Sequence, residues 1–320
     1  MARSTSPNLA LPDASVNDLT EGSERRPAAL SLLISLRPRQ WTKNLLVFAA
    51  LVFAEKLFDV AAVVAAVEAF VIFCALSGVV YLINDVADRD TDRRHPLKRC
   101  RPIAAGALSA RTALWAAALL GAAALAAAFA LNVRFGLVAI GYLGLLGLYS
   151  GPLKHIVIID ALTIAVGFVL RAAAGAAAID VLISHWLFVC TILLALLIAL
   201  AKRRHELVML ADDATSHRPI LGDYSPYLLD QMIAVVSAST LIAYVFYTIS
   251  PETSEKFGTP LLGLTIPFPL YGIFRYLYLV HQREGGGSPA DLLLTDRPLL
   301  ACVALWLAAV VLIIYQPFPL

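Results

Sequence analysis

The chain has 320 residues, of which 60% are apolar and only 15% charged, with a formal net charge of +2. A soluble domain carries about 25% charged residues. A chain this apolar lacks the polar surface to stay in water, which excludes soluble globular, disordered and disulfide-scaffold classes.

Residues 1–26 are rich in Ser, Pro, Asp, Glu and Arg, have no apolar core, and read as a disordered cytoplasmic tail rather than a signal peptide. Residues 27–320 read as one transmembrane domain. A spanning helix needs about 20 mostly apolar residues. Nine stretches qualify: 41–58, 60–84, 110–131, 135–153, 157–178, 184–201, 228–250, 260–281 and 298–316. The expected fold class is an all-α membrane protein with nine transmembrane helices. Lys and Arg set its orientation. Six lie between the start and Lys43, six more in 85–101, four in 202–218 and two in 282–297, whereas the alternate loops hold only Lys56, Arg134 and Lys256. The N-terminus is therefore expected in the cytoplasm. Gly136, Gly141, Gly144, Gly147 and Gly151 stud the fourth span; small residues let helices approach closely, and such faces permit a homo-oligomer. Cys74, Cys100, Cys190 and Cys302 form no CxxC and suggest neither a disulfide framework nor a zinc site.

The first span is entered through Arg37-Pro38-Arg39-Gln40-Trp41-Thr42-Lys43-Asn44. Trp41 is an interfacial anchor, and Lys43 and Asn44 lie one step inside, where a lysine either snorkels or binds phosphate. The second span runs into Asn84-Asp85-Val86-Ala87-Asp88-Arg89-Asp90-Thr91-Asp92. Helical spacing puts Asp85, Asp88 and Asp92 at i, i+3 and i+7 and Asn84 on the same face, with Asp90 pointing elsewhere. Stacked carboxylates repel. Mg²⁺ removes that cost and favours one or two carboxylates completed by phosphate oxygens and water. A solvated helix end, with Asp85 paired to Arg89 and Asp90 to Arg94, is the alternative, but it leaves Asp88 facing Asp92. His95-Pro96 should end the helix, and Lys98 and Arg101 follow, cations suited to the oxygens of a polyphosphate.

Tyr149, Lys154 and Asp160 cluster around the connection between the fourth and fifth spans; an ionisable residue inside an apolar helix, such as Asp160, is costly and usually functional. Arg171, deeper in the same span, reads as half of a structural ion pair with another helix, and Glu68 in the second span has no evident partner. Lys202-Arg203-Arg204-His205-Glu206 closes the sixth span; three consecutive cations cannot share one face, so one or two turn inward. Asp212, Asp213, Asp223, Tyr224, Ser225 and Tyr227 follow. No HExxH, GxSxG or Walker-type loop occurs, so a serine hydrolase or an ATPase has no support.

The Asn84-Asp85-x-x-Asp88-x-x-x-Asp92 pattern, followed by Arg101-Pro102-Ile103-Ala104-Ala105-Gly106, resembles the first signature of the UbiA-type intramembrane prenyltransferases over roughly residues 30–316. The resemblance implies a UbiA-type bundle with a cytoplasmic-side active site, in which Asn84, Asp85, Asp88 and Asp92 are the Mg²⁺ and diphosphate site. Arg37 to Asn44, Arg89 to Gly106 and Tyr149-Ser150-x-x-x-Lys154 are most similar to the phosphoribosyl-transferring branch of that superfamily. That branch implies an inner-membrane, multi-pass enzyme of actinobacterial cell-wall arabinan synthesis. It transfers 5-phosphoribose from phosphoribosyl diphosphate to a polyprenyl (decaprenyl) phosphate and releases diphosphate. No nucleic-acid partner is expected. Family members that use prenyl diphosphates carry a second aspartate-rich motif after the sixth span; here Lys202-Arg203-Arg204 stands in its place, which suits a donor with an additional phosphate and an anionic acceptor.

The expected mechanism has Mg²⁺ on Asp85, Asp88 and Asp92, phosphates held by Lys43, Lys98, Arg101, Lys202 and Arg203, and ribose hydroxyls oriented by Asp160. Asn44, Tyr149, Lys154 and Tyr224 complete the expected substrate contacts. Two rivals are an aromatic-acceptor polyprenyltransferase of the same superfamily and a lipid-phosphate carrier or flippase. A carrier needs polar residues near the midplane reaching both faces, whereas the polar residues here crowd the cytoplasmic side.

Overall fold

The computed structural model describes residues 27–94, 98–182, 185–210, 219–283, 292 and 295–315. The tail 1–26, His95, Asp212 and Asp213 lie outside the described residues. Among the described residues every regular element is a helix. In chain order these are α1 (Ala28–Ser35), a 3₁₀ segment (Pro38–Phe48), α2 (Ala49–Phe53), α3 (Val60–Ala87) and α4 (Arg89–Arg94). Then come α5 (Ala110–Leu131), α6 (Val133–Ser150), α7 (Ile159–Ala178), α8 (His185–Leu210), α9 (Pro226–Ile249), α10 (Pro251–Phe257), α11 (Pro267–Gln282) and α12 (Arg297–Tyr315). Short 3₁₀ turns stand at Lys98–Cys100, Leu153–His155, Pro219–Asp223 and Leu261–Thr265.

Seven described helices are long and apolar enough to cross a membrane: α3, α5, α6, α7, α8, α9 and α12. They match seven of the nine expected stretches. The eighth, 260–281, is the 3₁₀ turn Leu261–Thr265 followed by α11, and with α10 it forms a pair bent by 103°. Gly258, left-handed at φ 64°, ends α10 at the bend, a conformation that glycine adopts without steric cost. The stretch 41–58 departs from expectation. It is not one α-helix: its α-helical part is only the five-residue α2, after the longer 3₁₀ segment. The sixth span also differs, because α8 runs on to Leu210 and carries Lys202–Glu206 inside the helix rather than beyond it. Glu68 is exposed on α3.

Helix starts follow local chemistry. Ser225 caps α9, its hydroxyl accepting from the Leu228 amide at 3.1 Å, with Pro226 at the first helical position. Asn132 accepts from the Arg134 amide at 2.7 Å and starts α6 in the same way.

The chain divides into two compact units. One comprises residues 1–41 and 74–124; its core packs Val79 and Leu82 of α3 against Ile103, Leu108, and Ala113 and Ala117 of α5, with Leu32 and Leu36 added from the α1 end. The other comprises residues 42–73 and 125–320. There α7, α8, α9 and α11 share a core that includes Ala161, Leu197, Leu200, Leu229, Ile233, Ile273 and Tyr276. A second core joins Phe257 and Leu262 to Val310, Ile313 and Ile314 of α12. Beside it runs a relay of hydroxyls: Trp306 Nε1 donates to Tyr244 Oη (2.7 Å), which lies 2.6 Å from Thr265 Oγ1, which donates to the Leu262 carbonyl (2.6 Å). Such pairing is what an apolar medium demands of buried polar groups.

Within this second unit the 3₁₀ segment lies against α7 at backbone distance. A Cβ on Gly175 would stand 1.9 Å from the Val47 carbonyl oxygen, so only glycine fits. Gly175→Ala is therefore expected to lower the unfolding free energy by about 1–3 kcal/mol, read by equilibrium unfolding in micelles.

Candidate active site

In the first unit, α3 ends at Ala87 and α4 begins at Arg89, yet the helical hydrogen bonds continue across the break: the Asp88 amide donates to the Asn84 carbonyl and the Asp92 amide to the Asp88 carbonyl, both at 2.8 Å. The register expected for the acidic face is thereby kept. Asp85 and Asp92 are 3% and 2% exposed, and one group links them. Arg101 Nη1 donates to Asp85 Oδ1 at 3.2 Å and to Asp92 Oδ2 at 2.6 Å. Arg37 also donates to Asp85 Oδ1, its guanidinium lying over the Tyr81 ring at 4.7 Å. Neither Arg89 nor Arg94 takes the carboxylate assigned to it in the solvated-helix alternative; Arg94 Nε donates instead to the Asp90 carbonyl at 3.3 Å.

The expected four-residue face is therefore divided. Asp85 and Asp92 are brought together, Asn84 is half-buried, and Asp88 is exposed along with Asp90. Arg93 Nε donates to the Ala104 carbonyl at 3.0 Å, which ties α4 to the segment that carries Arg101, and Gly106, at φ 86°, takes a conformation that disfavours side chains. Lys98 is exposed on the same stretch. Arg37 was missed as a site residue in the sequence. It lies in the quoted motif, but nothing local separates it from Arg39; what singles it out is its left-handed backbone (φ 53°) immediately before Pro38.

Among the described residues no three His, Cys, Asp or Glu side chains gather as a metal site. A buried carboxylate pair bridged by a cationic nitrogen nevertheless suits Mg²⁺, whose preference is one or two carboxylates with the remaining positions filled by phosphate and water. Asp85 and Asp92 are the residues that would hold the ion.

The second unit contains a different constellation. Asp160, in the first turn of α7, is 0% exposed, and Arg203 of α8 is 1% exposed. Arg203 Nε donates to Asp160 Oδ2 at 2.8 Å, Nη1 to Glu206 Oε2, and Nη2 to Tyr149 Oη at 3.3 Å. Tyr224 donates to Asp160 Oδ1 at 3.0 Å and accepts from the Ile158 amide at 2.7 Å. Sequence reading gives Asp160 to ribose and Arg203 to phosphate. The structure instead joins them to each other, since each is the counter-charge that the other's burial requires. The three cations of the run diverge as their spacing dictates: Lys202 lies 3.9 Å from Glu206, Arg203 turns inward, and Arg204 pairs with Asp230 of α9. Lys43, Tyr149, Lys154 and Lys202 are half-buried.

Burial raises the Tyr224 hydroxyl pKa above its ordinary value, and the Asp160 carboxylate adds to the shift against the Ile158 amide. Because the folded value is the higher one, the stability this proton contributes is complete below about pH 10 and is lost as pH climbs towards the folded value. Tyr224→Phe is expected to cost about 1 kcal/mol. In unfolding measured across pH, that deficit should be constant below pH 10 and shrink above it.

Asn44 is 1% exposed and accepts from Arg171 Nε at 2.8 Å. Arg171 also donates to the Gly167 carbonyl (2.8 Å) and Tyr142 Oη (2.7 Å), and it stacks on the Tyr142 and Phe168 rings. Arg171 thus ties α7 to α6 and to the 3₁₀ segment through neutral partners rather than through the ion pair expected for it.

A model of the UbiA prenyltransferase family matches residues 44–294. The chain is 33% identical to a decaprenyl-phosphate phosphoribosyltransferase of Mycolicibacterium smegmatis, over 89% of this chain and 92% of the relative. It is 28% identical to the enzyme of that name from Corynebacterium glutamicum, over 93% and 91%. Among solved structures, a UbiA homologue from Archaeoglobus fulgidus bound to DMAPP and Mg²⁺ superposes with a TM-score of 0.69 at 23% identity, covering 89% of this chain and 99% of that one. With a family model spanning most of its length and relatives matched nearly end to end, this multi-pass membrane chain belongs to the UbiA prenyltransferase family.

Proposed function

We propose that the chain transfers 5-phosphoribose from phosphoribosyl diphosphate to a polyprenyl phosphate, releasing diphosphate. The observation that carries this reading is the near end-to-end similarity to relatives named decaprenyl-phosphate phosphoribosyltransferase. The charge pattern supports it: Lys202, Arg203 and Arg204 stand where prenyl-diphosphate enzymes carry carboxylates, and of the three Lys202 is the one assigned to phosphate, since Arg203 and Arg204 pair with Asp160 and Asp230.

Asp85 and Asp92 would hold Mg²⁺, which when bound would supply charge neutralisation for a departing diphosphate. Each unit carries its own phosphate-binding cations: Arg37, Lys98 and Arg101 in the first, Lys43, Lys154 and Lys202 in the second. Arg203 and Asp160 act as positioning residues that hold Tyr149 and Tyr224. The lipid phosphate is already anionic at neutral pH, its second pKa being about 6, so no strong general base is needed. Its oxygen forms the bond to C1 of ribose while the C1–O bond to diphosphate breaks, the electron pair leaving on the diphosphate. Attack opposite the leaving group inverts C1, as in other direct glycosyl transfers.

The same proposal gives the chain nine membrane crossings, with the cytoplasmic side of the inner membrane holding the N-terminus and the active site. At about 2.0 Å per 3₁₀ residue and 1.5 Å per α residue, Pro38–Phe53 can extend about 30 Å, the thickness of a hydrocarbon core.

The test is purified protein with Mg²⁺, labelled phosphoribosyl diphosphate and polyprenyl phosphate. A labelled lipid with inverted C1 is expected. No labelled lipid, together with reaction between a prenyl diphosphate and a hydroxybenzoate, would transfer the assignment to the aromatic-acceptor branch.

A further inference from the structure

We infer that Arg37 and Arg101 are a resident counter-ion for the acidic pair and exchange with the metal, so that the divalent ion enters only together with a diphosphate. Arg101 Nη1 donates to both Asp85 and Asp92, and Arg37 donates to the same Asp85 oxygen. Two carboxylates and two guanidiniums sum to zero charge. A bare dication approaching this group meets no net attraction and two like charges beside its ligands, a repulsion strengthened where water is scarce.

A diphosphate changes the balance. Its oxygens suit the bidentate fork of a guanidinium as well as a carboxylate does. Both arginine side chains are 29% exposed, whereas the two aspartates are nearly fully covered, so the guanidiniums are the groups with room to move. Once they turn to phosphate oxygens, Asp85 and Asp92 are released to the metal. The exchange keeps two buried carboxylates from ever facing each other uncompensated. It also makes metal and diphosphate binding mutually dependent, by the same factor in either order.

The inference rests on Asp85 and Asp92 being the metal ligands, and not on the identity of the sugar. It is tested by Mn²⁺ binding, followed by electron paramagnetic resonance, with and without inorganic diphosphate as the anion. In the unsubstituted protein, diphosphate should tighten Mn²⁺ by about tenfold or more. In Arg101→Gln, Mn²⁺ alone should bind about tenfold tighter than in the unsubstituted protein, and most of the enhancement by diphosphate should vanish. Unchanged or weaker Mn²⁺ binding in Arg101→Gln would overturn the exchange while leaving the metal site standing. Absence of Mn²⁺ binding under every condition, with Asp85→Asn indistinguishable from the unsubstituted protein, would overturn the metal site and the exchange with it. If Arg101→Gln is unstable, Mg²⁺ alone should raise its melting temperature but not that of the unsubstituted protein. Arg37→Gln, which keeps the bridge from Arg101, should show the same changes at smaller size, and equal response of all three proteins to Mg²⁺ would count against the exchange.

Discussion

Asp92→Asn is expected to lower kcat/KM for phosphoribosyl transfer by about 10²–10³-fold, the cost of losing a group that stabilises charge developing on the leaving diphosphate. Asn keeps the shape of Asp, and Arg101 keeps its hydrogen bond to Asp85 Oδ1, so the fold of the first unit should survive. Two measurements separate chemistry from folding: the melting temperature of the variant in micelles, expected near that of the unsubstituted protein, and the dependence of rate on Mg²⁺, expected to require far more metal. Undiminished turnover in Asp92→Asn would remove the carboxylate pair from the mechanism. The exposed Asp88 gives a useful contrast. Loss of turnover in Asp88→Ala extends the metal and diphosphate site along the face expected from sequence, and full activity confines it to Asp85 and Asp92.

Arg203→Ala is expected to destabilise the chain by about 3–5 kcal/mol, because it leaves the Asp160 carboxyl group buried without its guanidinium partner. The pair Asp160→Leu with Arg203→Met, which removes both charges and retains apolar volume, should recover most of that loss. Equilibrium unfolding of the two single variants and the double variant reads the coupling directly. Recovered stability without recovered turnover would show that the ion pair also positions Tyr149 and Tyr224. Recovery of both would confine it to holding α7 against α8. No recovery of stability would contradict the reading of Asp160 and Arg203 as mutual counter-charges.

The 3₁₀ segment shows where reading by length and hydropathy stops. Residues 41–58 are apolar enough for a spanning helix, and that property is local. Their winding as 3₁₀ over Pro38–Phe48 and their close approach to α7, where the Val47 backbone leaves no room for a side chain at Gly175, are not properties of length or hydropathy. The run Lys202–Glu206 lies inside α8 rather than beyond the sixth span, again through tertiary contacts. Lys202, Arg203 and Arg204 look like a helix end, but partners from α7, α8 and α9 make it possible for α8 to keep Arg203 and Arg204 in its turns.

The amino-acid sequence alone settled the solvent this protein lives in, its all-helical class, seven long apolar helices within a residue or two at most ends, and the acidic register from Asn84 to Asp92. Each of these follows from composition or from the helical period, which act over a few turns of chain. Tertiary structure decided which buried polar groups meet: Arg37 with Asp85 over 48 positions, Asp160 with Arg203 over 43, Asn44 with Arg171 over 127. A buried charge takes whichever partner packing delivers, and no local pattern encodes that delivery.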